Sequence, residues 1–173
     1  MTQTQEQATR IQSPTDLLQL TGAVPHHMAT PPGQAVIRYL DVDGVLLRTS
    51  TRGTGRPLLI ISGLGARLEL AEPFEREITT HGIQVIGFDA PGVGESTGYQ
   101  WPRRIPGIAR TVERLLDAVG HQQVDVLGVS LDGVIAQQVA HQAPRRVRRL
   151  VLAATGHPPA PINDENEQDR GPR

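Results

Sequence analysis

The chain has 173 residues, a formal net charge of −1, no cysteine and an aromatic content of only 3%. That length admits one domain, and the near-zero charge leaves no general attraction for nucleic acid or an anionic membrane. The absent thiols exclude disulfides, thiolate metal sites and cysteine nucleophiles. No apolar run reaches the roughly 18 residues of a spanning helix, and the start lacks the basic-then-apolar order of a signal peptide. A cytoplasmic protein with no membrane span is the expectation.

Residues 1–34 are rich in Gln, Thr and Pro, with too little apolar surface to offset the cost of ordering, and are expected to form a disordered leader. Met28 near its end is a candidate alternative start. From Ala35 the pattern changes. Val36 to Val42 alternates, Asp43-Gly44 is a two-residue turn, and Val45 to Thr49 follows, which predicts a β-hairpin. Pro57 to Ile61 is a continuous apolar run, the mark of a strand covered on both faces. Leu68 to Thr80 has helical spacing, with Leu70, Phe74 and Ile78 on one face.

Gln84 to Phe88 is a second buried strand. Ile108 to Val119 is an amphipathic helix with Val112, Leu115, Leu116 and Val119 inward. Val124 to Val129 is a third strand, Leu131 to Gln142 a helix, and Val147 to Ala154 a fourth strand. Strands alternating with helices imply an α/β fold with a mostly parallel sheet, preceded here by the hairpin. From His157 the chain turns polar and proline-broken, and 157–173 is expected to be a disordered tail beyond a core spanning 35–156.

Chemistry concentrates at three strand ends. Gly128-Val129-Ser130-Leu131-Asp132-Gly133 joins an apolar strand to an apolar helix, placing the Ser130 hydroxyl in a tight turn before a helix N-terminus that favours developing negative charge. Read alone the string also fits a serine N-cap. Ser62-Gly63-Leu64-Gly65 follows the first buried strand; the N–H of Leu64, with that of Leu131, could form an oxyanion hole, although a plain strand-to-helix turn fits the string equally. Asp89-Ala90-Pro91-Gly92-Val93-Gly94-Glu95-Ser96 follows the second and completes no nucleotide-binding pattern. Arg145, Arg146, Arg148 and Arg149 read as a phosphate patch or, better, as a solvated helix-to-strand connection. No metal-ligand spacing is present and no cofactor is implied.

With these strings in order over residues 35 to 156, the chain resembles the amino-terminal part of α/β-hydrolase-fold proteins, and most of all the intracellular poly(3-hydroxyalkanoate) depolymerases. The resemblance rests on Pro57 to Ile60, Ser62 to Leu70, Val85 to Gly94, Val126 to Ser130, Ala136-Gln137-Gln138 and Leu150 to Thr155. It implies a serine esterase acting on polyester or medium-chain hydroxyacyl esters, with Ser130 as nucleophile and Leu64 and Leu131 as oxyanion donors. It also implies that the Asp89 string shapes a turn and does no chemistry.

Two departures predict impaired turnover. Asp132 stands where the elbow's second glycine is expected, so it should strain the turn. An ionised carboxylate about 5 Å from an oxyanion would cost about 3 kcal/mol at an effective dielectric of about 20, outweighing the roughly 0.3–1 kcal/mol gained from the helix dipole. The family's triad acid and histidine follow later strands, whereas this pattern stops after about the sixth, as a truncation or frame shift would leave it. Downstream only His157, Asp164 and Asp169 are available, and all read as tail residues. The alternative reading is a non-catalytic remnant or interaction module, pairing through its last strand with a second copy or with a separate C-terminal polypeptide.

Overall fold

The computed structural model describes residues 33–62 and 65–156. The expected leader (apart from Gly33 and Gln34), the Met28 start and the expected tail lie outside the described residues, as do Gly63 and Leu64.

Six strands form one mixed sheet in the order β1-β2-β4-β3-β5-β6. The strands are β1 (Ala35–Val42), β2 (Val45–Arg52), β3 (Arg56–Ile61), β4 (Ile83–Phe88), β5 (Val124–Val129) and β6 (Val147–Ala153). The predicted hairpin is β1–β2, closed by Asp43 and Gly44 at φ of 57° and 77°, the doubly left-handed geometry for which Asp-Gly is suited. β2 pairs antiparallel with β4, while β3, β4, β5 and β6 run parallel. Three helices connect the parallel strands: α1 (Leu68–Thr79), α2 (Ile105–Ala118) and α3 (Gly133–Gln142).

The continuous apolar strands supply both faces of the sheet. Leu59, Ile61, Ile86, Val124 and Val126 pack with Val112, Leu115 and Leu116 of α2 and with Ala136 and Val139 of α3. The alternate positions Leu58, Ile60, Val85 and Leu127 form a smaller cluster, against which Ile78 of α1 packs. Period-two alternation in strands thus serves two apolar layers at once.

Helix α1 departs from expectation. Its buried residues are Leu68 and Glu75, whereas Leu70 is 75% and Phe74 47% exposed. α1 lies over β4 and β2, so Glu75 meets the buried Arg52 of β2 at 3.5 Å. Burial holds the Glu75 carboxyl above the usual carboxylate range. The apolar stripe of the helix faces the β5–β6 side of the sheet. The last helix also starts later than predicted, because residues 130–132 form a separate 3₁₀ turn.

Two of the four arginines near β6, Arg146 and Arg148, are held in structural contacts. Arg146 bonds Asp117 at 2.7 Å and the His121 carbonyl at 2.9 Å. Arg148 of β6 and Arg56 of β3 close on Asp125 of β5 at 2.8 and 3.0 Å, and chiefly the Arg148 hydrogen bond holds the Asp125 carboxyl below its ordinary range. Among the described residues β6 has a strand neighbour on one side only, with Leu150, Val151 and Leu152 exposed.

The Asp89 string, expected to shape a turn, clamps the loop after β4. The fully buried Asp89 carboxylate accepts from the N–H of Leu68 at the start of α1 (2.8 Å) and from the N–H of Glu95 (3.1 Å). Arg48 of β2 adds an ion pair at 3.4 Å. Ser96 donates to the Asp89 carbonyl and accepts from the Arg48 N–H, so the loop is stitched to β2. Hydrogen bonds to a charged group contribute about 1.5–3 kcal/mol each. Asp89→Ala, which orphans the buried N–H of Leu68 and removes the acceptor of the Glu95 N–H, should lower the unfolding free energy by about 3 kcal/mol, read as a shift in the urea midpoint; a loss below about 1 kcal/mol would show that the clamp is not needed.

Candidate active site

Strand β5 ends at Val129, and the chain turns through Ser130, Leu131 and Asp132 into α3. The turn is tight because α3 lies almost on the strand. A Cβ on Gly128 would stand 2.5 Å from the Ala136 Cβ and 2.8 Å from the Gly133 Cα. A Cβ on Gly133 would meet the Thr155 Cβ at 2.5 Å. With no room to turn gradually, the backbone reverses at Ser130, whose φ is 55°. This is the left-handed region, which costs a non-glycine residue about 1–2 kcal/mol.

Ser130 is thereby exposed at the C-terminal edge of the sheet. The N–H of Leu131 opens the helical turn and has no intrahelical acceptor, as at every helix start, so it is free to meet an anion. The Leu131 side chain is 59% exposed. Leu64, the other expected oxyanion donor, lies outside the described residues. The structure therefore brings Ser130 and Leu131 together and leaves Leu64 unplaced.

The strain expected at Asp132 is absent. Its φ and ψ are −74° and −7°, ordinary right-handed values open to any residue. Close packing makes its demand at Gly128 and Gly133, where glycine is retained, and the strain falls on Ser130. Asp132 is instead 6% exposed and borders a cavity of about 20 Å³, with Ile61, Phe88, Tyr99, Thr111 and Ile135 among the lining residues. No described residue donates a hydrogen bond to its carboxyl, and burial alone pushes the group up to about 6 from 3.8. Desolvation disfavours the ionised form that would repel an oxyanion.

The three described histidines stand at the wrong end of the strands. His81 lies between α1 and β4, His121 between α2 and β5, and His141 in the last turn of α3. Each is near the N-terminal edge of the parallel strands, and β5 separates that edge from Ser130 by about 20 Å at 3.3 Å per residue. His157, Asp164 and Asp169 lie outside the described residues.

Sequence reading also missed what lines the site. The Tyr99 hydroxyl is 3.1 Å from the Thr111 hydroxyl, fixing the phenol over the cavity. Arg103 covers the Tyr99 ring at 5.0 Å. No local motif marks either residue, since their meeting depends on how the loop after β4 folds back onto α2. On the other face, an apolar groove of about 340 Å³ runs between α1 and the ends of β3, β5 and β6, lined by Ile60, Leu70, Phe74, Leu127, Val129 and Ala153.

The chain is similar in sequence and fold to known proteins. Residues 56–172 match the family model described as alpha/beta hydrolase fold. The chain is 44% identical over 128 residues to a poly(3-hydroxyalkanoate) depolymerase of Ectopseudomonas oleovorans, covering 72% of this chain and 44% of that protein. Among solved structures it is similar to a bacterial membrane phospholipase A (TM-score 0.67, 26% identity, covering 72% of this chain and 41% of the other). It is also similar to an alpha/beta hydrolase fold protein from Chitinophaga pinensis (TM-score 0.63, 28% identity, covering 71% and 45%). The chain spans less than half the length of these relatives.

The strained turn makes a specific prediction. Ser130→Gly should be more stable than Ser130→Ala by about 1 kcal/mol, because glycine alone enters the left-handed region without penalty. Urea midpoints of the two variants measure it, and equal midpoints would mean that the turn relaxes in solution.

Proposed function

The chain belongs to the alpha/beta hydrolase fold family, and on that premise we propose that Ser130 is the nucleophile of a serine carboxylic-ester hydrolase of the poly(3-hydroxyalkanoate) depolymerase type. The observation that carries this reading is the left-handed Ser130 at the end of a buried interior strand, exposed above the sheet with a helix N-terminus behind it. A serine that served only as an N-cap would sit in extended backbone and hold an N–H with its side chain. No side-chain cap hydrogen bond is made at the start of α3 or of the turn before it.

In this reading the Ser130 Oγ attacks an ester carbonyl and the alcohol departs, leaving an acyl-enzyme that water hydrolyses. The Leu131 N–H, with Leu64 as the second donor, takes the oxyanion; one such donor is worth about 2.7–4 kcal/mol. The general base would come from outside the described residues. A site holding only nucleophile, binding surface and oxyanion donors retains about 10³–10⁴-fold over water. Activity of this chain by itself is accordingly expected to be weak. The substrate class, polyester or medium-chain hydroxyacyl ester, follows from the likeness to the depolymerase.

The second reading, a non-catalytic interaction module, is favoured by the exposed Leu150, Val151 and Leu152 on the edge strand β6, a template for pairing with another copy or a complementing polypeptide. One experiment separates the two. The purified chain and Ser130→Ala are treated with a fluorophosphonate probe and scored by intact mass. Labelling that disappears in the variant is the expected result; no labelling of a folded sample would defeat a nucleophilic Ser130 in this chain.

A further inference from the structure

We propose that Asp132 is a positioning residue that makes the seating of Ser130 depend on pH: as the neutral acid its side chain stays in the cavity and the 130–132 turn stays closed on β5, and as the carboxylate it leaves and draws the turn away. The proposal deepens the reading of Ser130 as nucleophile and rests on it only for its consequence in reactivity.

The geometry has three parts. First, Asp132 is 6% exposed and accepts no hydrogen bond from a described residue, so ionising its carboxyl costs desolvation that no described donor offsets. Second, the described residues that line the cavity are mostly apolar. Ile61, Ser62 and Ala66 face it from β3 and the loop beyond, Phe88, Ala90 and Pro91 from the end of β4, Ile108, Thr111 and Val112 from α2, and Ile135 from α3. The one titratable side chain among these neighbours is Tyr99, whose own ionisation burial pushes upward. The Thr111 hydroxyl is already engaged with Tyr99 and with the Gly107 carbonyl. The nearby Asp89 carboxylate is directed at the N–H groups of Leu68 and Glu95. At about 20 Å³ the cavity has room for a single water, too few partners to hydrate a carboxylate.

Third, the link to Ser130 is short and stiff. Asp132 is the last residue of the same 3₁₀ turn, and its neighbour Gly133 is wedged against Thr155. Movement of the Asp132 side chain out of the cavity therefore has to be absorbed by residues 130–132, which include the one strained φ of the turn. Burial raises this carboxyl to about 6. The sign follows from linkage: the folded state holds the proton more tightly than the unfolded state. Stability contributed by the group is complete below about 3.8 and is lost as pH rises through about 6.

The test compares the full chain with Asp132→Asn by urea unfolding at pH 5 and pH 7.5. The ratio of the variant's folding constant to that of the parent should rise about tenfold between the two. In parallel, fluorophosphonate labelling of Ser130 in the variant, relative to the parent, should increase with a midpoint near pH 6. A purely structural Asp132 would change stability equally at both pH values, and parallel profiles overturn the proposal. If Asp132→Asn does not fold, Asp132→Ala provides the same comparison without placing an amide in an apolar cavity. The Asp132 carboxyl carbon followed by NMR in the parent reads the group directly, and titration near 3.8 also overturns the proposal. Absence of labelling at every pH alongside a pH-dependent stability ratio would defeat the nucleophile reading alone and leave Asp132 as a pH-sensitive latch on the turn.

Discussion

The close approach of α3 to β5 is the constraint on which the site depends. Gly128 and Gly133 face each other with no space for a side-chain atom, and Ala136 completes the contact. A helix packed this tightly cannot be reached from the strand by a gradual turn. The reversal is concentrated in one residue, and that residue is Ser130. Exposure of the hydroxyl, the orphan N–H of Leu131 and the strain in the backbone are three consequences of one packing decision. Strained backbone persists only where its surroundings over-determine it, and here the buried β5 below and the wedged Gly133 beside it do so.

A second, electrostatic joint holds the same edge of the sheet. Asp89 ends β4 with its carboxylate fully buried, and it is satisfied by two backbone N–H groups and Arg48. It ties the start of α1, the following glycine-rich loop and the antiparallel β2 to one point. Because this joint is polar and complete, the loop beyond β4 can be fixed at the mouth of the site without an apolar core of its own. Asp132 is the opposite case. It is as buried as a core residue and has no donor from the described residues, and burial raises its carboxyl to about 6.

Apolar surface is distributed unequally between the two faces of the sheet. The face covered by α2 and α3 buries a continuous cluster of Leu, Val and Ile, which compensates for the scarcity of aromatic residues. On the α1 face the cluster is smaller, and it passes into an open apolar groove beside β6. Leu70 and Phe74, which have the spacing of core residues, stand along that groove. Amphipathic spacing identifies a stripe on a helix but not what lies opposite it.

Local pattern alone determined most of the architecture. Apolar runs bounded by turn residues place β3 to β5 because a strand covered on both faces has little polar side to show. Asp43-Gly44 closes the hairpin because its two left-handed residues suit an Asp-Gly pair. The strand–Gly-x-Ser–helix string locates Ser130 because a short string encodes both the tight turn and the helix that follows. What only the tertiary structure decided lies between elements distant in sequence. Glu75 is buried because Arg52 arrives from another strand; Asp132 is unstrained and desolvated because β3, β4 and α2 enclose it; and every described histidine falls at the edge opposite Ser130. Side-chain burial and ionisation depend on neighbours that sequence spacing does not specify. The identity of the turn was therefore legible in the sequence, while its chemical environment was not.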